Sequence, residues 1–347
     1  MPAWKRILWS VLFIGLFSAL FMGYQLYQRL YKVNVSETMR ADVFYLEIPT
    51  GSRWQDVLFL LQQAGVLQDM ASFEWVAQRA SYPENVLPGR YRIEQQMNNV
   101  DLVKLLASGR QEPVRLMINK FRNRFDLYGA VGRKLEADSL QITQLFTDDK
   151  YMRKHGFRAE NALAMIIPNT YEFWWNTSAE AFVARMYEEY KRFWTESRRE
   201  QARRLGLSPV EVMVLASIVE EETNKDDEKG TIARVYLNRL EIGMRLQADP
   251  TVKFAVGDFA IKRVTGKHLN VDSPFNTYMY AGLPPAPICT PSIRTIDAVL
   301  NSIPNDYLYF CAREDFSGYH NFARTYSKHQ ENARKYQRAL NKLNIRG

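Results

Sequence analysis

The stretch Ile7–Tyr24 constrains this chain more than any other: it carries no charge and is dominated by Leu, Phe and Ile. Its length suits a bilayer hydrocarbon core of about 30 Å. Lys5 and Arg6 precede it, and Trp4, Tyr24 and Tyr27 fall where interfacial aromatics belong. A cleaved signal peptide would need a small-x-small site after the apolar run, and none follows. The expectation is therefore an uncleaved transmembrane anchor over 7–27 behind a cytoplasmic tail of residues 1–6. Arg29 and Lys32 blunt the charge asymmetry on which that orientation rests. No later segment is long and apolar enough to cross again, so everything beyond the anchor is expected on one side of the membrane.

A chain of 347 residues exceeds one average domain. With 46% hydrophobic and 24% charged residues, it has the composition of a folded rather than a disordered protein. A net charge of +8 favours anionic partners, among them nucleic acid, anionic lipid and carboxylate-bearing glycans. No nucleic-acid motif accompanies the charge, so nucleic acid is not expected as a partner. Cys289 and Cys311 are too few for a disulfide scaffold, and the four histidines are scattered without zinc-site spacing. Cys311 sits in the apolar run Tyr307–Ala312, which reads as a buried strand with the cysteine as a small core residue.

After the anchor, Val43–Ile48 reads as a strand and Trp54–Gln63 as a helix closed by Gly65. A second helix over Met70–Ala80, a short strand over Arg90–Ile93 and a third helix over Val100–Ala107, ended by Gly109, complete a small unit spanning 40–112. This strand–helix–helix–strand order resembles a LysM-like sugar-binding module, and equally suits a plain spacer. Residues 113–205 read as a mostly helical linking subdomain, with Ala179–Arg204 patterned as an amphipathic helix. Within it, the aromatic run Ile167–Asn176 fits either a sugar-stacking platform or a core.

The segment 206–347 carries the chemistry. Ser208, Pro209 and Glu211 form a helix start with a capping box. The helix then runs apolar on nearly every face through Val212–Val219, so it should be buried all round. From it emerge Glu220, Glu221 and Glu222. Desolvation and the negative end of the helix dipole both raise the pKa of a carboxyl placed there, the state a general acid needs. At about 100° per residue, Glu220 and Glu222 face opposite sides and cannot both serve one cleft. Taken alone, the trio also fits a helix that simply ends in solvent. A helix over Thr231–Ile242 follows, then Pro/Gly-stiffened loops at Met244–Thr251, Ser273–Tyr278 and Gly282–Ile288. Polar groups on such loops suit a polyhydroxylated ligand.

Five segments in this order, Ala216–Thr223, Val235–Leu240, Leu246–Val252, Phe275–Tyr278 and Gly282–Pro285, resemble the YceG-like family, the MltG-type endolytic murein transglycosylases. The resemblance covers about residues 40–340. It implies an α+β fold: an N-terminal transmembrane helix, a LysM-like module, and a larger mixed α/β catalytic domain. It also implies a single-pass protein of the bacterial inner membrane with its catalytic domain on the extracytoplasmic side, near the cell-wall synthesis machinery. By this resemblance the glutamate closing the Ala-Ser-Ile-Val-Glu motif, Glu220, is the catalytic residue. Gln247, Asp249, Asn276, Thr277 and Tyr278 are candidates for substrate contacts, or for fixing the loops. Two departures stand out: Asn169 where the family has Asp, without the preceding Glu-Gly, and Ala286 where it has Gly.

The chemistry so implied needs one carboxylate rather than the usual pair. The acid protonates the glycosidic oxygen between N-acetylmuramic acid and N-acetylglucosamine. It then accepts the proton of the C6 hydroxyl as a 1,6-anhydro ring closes. No metal or organic cofactor is expected. Two rivals stand beside this reading: a hydrolytic muramidase with Asp249 as second carboxylate, and a non-catalytic peptidoglycan-binding scaffold.

Overall fold

In the computed structural model of the chain, which describes residues 2–36, 43–261 and 264–342, two compact units emerge. The first comprises Met1–Arg115, Lys134–Glu136 and Glu172–Thr177, and the second Leu116–Arg133, Ala137–Tyr171 and Ser178–Gly347. Residues 40–42, the expected start of the small module, and 343–347 lie outside the described residues.

The first unit opens with helix α1 (Ala3–Tyr31), longer at both ends than the 7–27 expected for the anchor. None of its residues is buried, although most are apolar, and it is long and apolar enough to cross a membrane. Strand β1 (Val43–Ile48), helices α2 (Trp54–Ala64) and α3 (Met70–Arg79), strand β2 (Gly89–Glu94) and helix α4 (Asn99–Ser108) follow in the expected order. β1 and β2 pair antiparallel, with Val43 opposite Glu94 and Ile48 opposite Gly89. Gly65 and Gly109 end α2 and α4 in the left-handed conformation, with φ of +61° and +65°, where a side chain would be strained. Leu46, Ile48, Val57, Leu61, Phe73, Tyr91, Ile93 and Leu102 form one core. Each such buried side chain contributes about 1.5–3 kcal/mol. Leu30 at the end of α1 packs on that core, and Asn99 Nδ2 donates to the Arg29 carbonyl at 2.8 Å. Helix α1 is thus fastened to its own unit.

Strands β3 (Val114–Ile118) and β4 (Asn169–Phe173), which pair into a two-stranded sheet, fall partly in each unit. Between them in sequence lie α5 (Arg124–Gly132), α6 (Ser139–Thr147) and α7 (Asp149–Arg153). Within the aromatic run, Tyr171 and Phe173 are buried and Trp174 is exposed, so the rings do not present a single common face.

In the second unit the single helix expected over Ala179–Arg204 is two, α8 (Ala179–Phe193) and α9 (Glu196–Arg204). Trp194 leaves helical geometry and is buried, and the Thr195 side chain caps the new start by accepting from Arg198 N. Helix α10 (Pro209–Glu222) begins at the Ser208 cap: Ser208 N donates to Glu211 Oε2 at 2.7 Å, and Ser208 Oγ accepts from Glu211 N at 3.3 Å. Val212 through Val219 are all buried. Helix α11 (Asp226–Glu241) starts five residues earlier than the Thr231 expected, with Asp226, Asp227 and Glu228 in its first turn, where acids suit the helix dipole. The loop expected up to Thr251 ends sooner, in α12 (Asp249–Val256), with Pro250 fitting its first turn. Helices α13 (Gly266–Leu269) and α14 (Ile293–Leu300), the antiparallel pair β5 (Tyr309–Ala312) and β6 (His320–Ala323), and helix α15 (Tyr326–Lys342) complete the unit. Cys311 lies on β5 as expected but is only half-buried, whereas Cys289 is fully buried.

Candidate active site

The loops around α10 are fastened to it by buried polar groups. Ile288 N donates to Ser217 Oγ at 2.9 Å, docking the proline-rich Gly282–Ile288 loop on the middle of the helix. Thr290 Oγ1 donates to the Asn119 carbonyl at 2.7 Å and accepts from Phe121 N at 2.8 Å. The three glutamates of the C-terminal turn of α10 enter three different environments.

Glu221 forms ion pairs with Arg122 at 2.7 Å and Lys120 at 3.1 Å. Burial pushes its carboxyl upward, but Arg122 and Lys120 together outweigh burial and hold it below the usual carboxylate range. This is a charged, structural group.

Glu220 is surrounded by donors on one oxygen. Its Oε2 accepts from Lys229 Nζ at 3.3 Å, from Ser292 Oγ at 3.0 Å and from Thr295 Oγ1. Lys229, itself buried, also pairs with Asp226 at 2.9 Å. Glu220 lines a recess that includes Lys120, Asn169 and Arg294, so the departure at Asn169 falls beside it. All three donors to Glu220 fall on the same oxygen.

Glu222 faces a separate cavity of about 330 Å³. Gln247, Asp249 and Tyr278 line the same cavity, together with Tyr236, Arg239 and His329. Tyr236 Oη donates to Glu222 Oε1 at 2.6 Å, and Tyr278 Oη donates to Asp249 Oδ1 at 2.6 Å. Burial pushes the Glu222 carboxyl up to about 7; the Asp249 charge adds to this, while the Tyr236 hydrogen bond, Arg239 and Lys253 oppose it. Gln247 is held at φ +49°, a left-handed conformation uncommon outside glycine, with its N–H donated to the Thr277 carbonyl at 3.1 Å.

Asn276 and Thr277, expected as substrate contacts or as loop-fixing residues, are both buried and hydrogen-bonded within the loops. Asn276 is fully buried and donates to the Leu269 and Val271 carbonyls at 2.9 and 2.8 Å. Thr277 is buried too, accepting from Ala248 N at 3.0 Å and bonding the Thr251 hydroxyl at 2.8 Å. Together they pin the Tyr278 loop against the start of α12. Tyr236, Arg239 and His329 were not singled out from the sequence. The first two lie in the Val235–Leu240 motif, whose order was informative but whose individual roles depend on the fold. Arg239 is buried and clamps two loops, donating to the Leu308 and Leu246 carbonyls at 2.6 Å each.

Comparison with known proteins places this geometry among relatives. Residues 46–335 match the YceG-like family. A protein of Bacillus subtilis (strain 168) named endolytic murein transglycosylase is 25% identical over 309 residues, covering 84% of this chain and 84% of that one. A protein of the same name from Streptococcus pneumoniae (serotype 2, strain D39) is 26% identical over 300 residues, covering 76% of this chain and 53% of its relative. The chain thus spans about half the length of the pneumococcal protein. Among solved structures, that of a putative yceG-like protein from Listeria monocytogenes superposes with a TM-score of 0.55 at 27% identity, covering 84% of this chain and 98% of that one. With the matched region running from β1 into α15, and so spanning both the small module and the glutamate helix, the chain belongs to the YceG-like family.

Proposed function

We propose that this chain is an endolytic murein transglycosylase whose acid/base is Glu222, two residues beyond the Glu220 expected from the motif. One observation carries the assignment. Glu222, with its carboxyl raised to about 7, shares a cavity with Gln247, Asp249 and Tyr278, whereas Glu220 accepts from three donors elsewhere.

The reaction follows from that arrangement. Protonated Glu222 gives its proton to the glycosidic oxygen as the bond from C1 of N-acetylmuramic acid breaks. The carboxylate left behind accepts the C6 hydroxyl proton, and the C6 oxygen closes on C1 to give the 1,6-anhydro end. Tyr236 orients the carboxyl throughout. Asp249, held by Tyr278, favours the protonated state of Glu222 through its charge, and in the competing muramidase reading it would direct a water instead.

Helix α1 serves as a single-pass anchor in the bacterial inner membrane, with the remainder on the extracytoplasmic side where glycan strands are assembled. The small module takes a LysM-like role in holding the strand. Such a tethered enzyme would cut nascent strands near the bilayer and limit their length.

The test is mass analysis of products released from purified peptidoglycan by the full-length protein and its Gln variants. Anhydro ends are expected from the parent. Glu222→Gln should lose at least about 10²–10⁴-fold in rate, while Glu220→Gln and Glu221→Gln retain cleavage per folded molecule. A dead Glu220→Gln beside an active Glu222→Gln would return the role to Glu220. Reducing ends in place of anhydro ends would make the protein a muramidase, and no products at all would leave a binding scaffold.

A further inference from the structure

The Glu222 cavity is lined by an imidazole that this acid/base chemistry leaves unused. His329, on α15, is one of the residues that line it together with Glu222. The imidazole stacks on Tyr309 of β5, with centroids 5.4 Å apart and planes at 23°, and lies 6.2 Å from the Tyr326 ring. Tyr309 is in turn 5.5 Å from the Arg239 guanidinium. Arg239 is itself fixed by two backbone carbonyls. The ring is therefore held by packing on elements that are themselves pinned.

Its hydrogen bonding is incomplete. Nδ1 is buried and has no hydrogen-bond partner among the described residues. The acids that share the cavity are engaged elsewhere, Glu222 by Tyr236 and Asp249 by Tyr278. A proton on Nδ1 would be a buried N–H with no acceptor, which is less favourable than an unused lone pair. The proton of the neutral ring accordingly belongs on Nε2. An imidazolium would carry both protons, one of them stranded, and would face Arg239; burial and the Arg239 charge both push the His329 pKa down. A cationic ring here would also favour the Glu222 carboxylate and so remove the acid.

We propose that His329 is a substrate-binding residue, a neutral imidazole that donates its Nε2–H to a sugar oxygen, hydroxyl or acetamido carbonyl, seated beside Glu222. No bond forms or breaks at the ring. Its role is to hold the sugar without adding charge to a cavity whose acid must stay protonated. The inference rests on the reading of this cavity as the glycan site.

The test uses the full-length protein in detergent in the Glu222→Gln background, which the proposed mechanism expects to stop turnover. It is titrated with a soluble tetrasaccharide of alternating N-acetylglucosamine and N-acetylmuramic acid. The side-chain ¹⁵N signals of the four histidines report the result. The expected outcome is a neutral Nε2–H tautomer for His329 between pH 6 and 8, whose Nε2 signal moves on binding. His329→Phe keeps an aromatic ring against Tyr309 but removes the donor, and should weaken binding by about tenfold with an unchanged melting temperature. His329→Gln, which retains an N–H donor, should recover most of that loss. If the tetrasaccharide binds the parent and His329→Phe equally and the His329 signal stays still, the ring is packing alone and the proposal falls, leaving the site assignment intact. If the tetrasaccharide does not bind and Glu222→Gln still cleaves peptidoglycan, the cavity is not the glycan site and both fall together.

Discussion

Three consecutive carboxyls on one helix end show how little chemical identity fixes function. Glu221 is paired with two cations, Glu220 accepts from three donors on one oxygen, and Glu222 is left in a cavity with its pKa raised to about 7. The shift has a consequence for stability whose sign is definite. The folded value of about 7 lies above the 4.5 of an ordinary glutamate. The contribution to stability is therefore fully present below pH 4.5 and is lost as the pH rises through 7, because folding then opposes an ionisation that the unfolded chain makes freely. Glu222→Gln cannot ionise. It should equal the parent in stability near pH 4 and exceed it above pH 7, by roughly 3 kcal/mol. Urea titrations at pH 4, 6 and 8 measure this; a constant difference across the three would show that Glu222 titrates normally. With Glu222 as the proposed acid, kcat/KM should fall as the pH rises past about 7 and the carboxyl loses its proton.

Helix α10 owes its position to both of its ends. At the start, the reciprocal bonds between Ser208 and Glu211 satisfy backbone donors that the first turn leaves unpaired. Ser208→Ala should cost about 1 kcal/mol, read as a lowered unfolding midpoint at unchanged slope. No change in midpoint would mean that buried packing alone sets the helix start. At the far end, the helix stops at Thr223, and the next helix begins at Asp226 with three acids in its first turn. The reading of α11 from Thr231 missed this first turn because charged residues around Gly230 carry no apolar period. The split of Ala179–Arg204 has a related cause: its charge pattern runs unbroken, but burial of Trp194 and the Thr195 cap interrupt the backbone.

At the scale of the chain, α1 is a long helix most of whose apolar side chains are exposed, an arrangement that suits lipid and not water. Its last turn is tied to the small unit through Leu30 and the Arg29 carbonyl. If Lys5 and Arg6 hold the N-terminus in the cytoplasm, a reporter enzyme active only outside the cytoplasm should work when fused after Gly347. Activity of a cytoplasmic reporter alone would reverse the orientation and remove peptidoglycan as substrate.

Local order was readable from the chain alone wherever neighbours in sequence decide it. The apolar run of α1, the capping box of α10, the left-handed glycines ending α2 and α4, and the β1–α2–α3–β2–α4 order all depend on short-range sterics, hydrogen bonding and periodicity. So did the divergence of Glu220 from Glu222, which follows from the helical turn. Which of the two shares a cavity with Gln247, Asp249 and Tyr278 did not. That depends on Ser292 and Thr295 of the α14 start reaching Glu220 from more than seventy residues away, and on Thr277 and Asn276 pinning Tyr278 beside Asp249 on the other side. Burial, and with it the protonation of a carboxyl, is a property of the packed neighbours rather than of the residue, so only the tertiary structure could give two glutamates two positions apart such different environments.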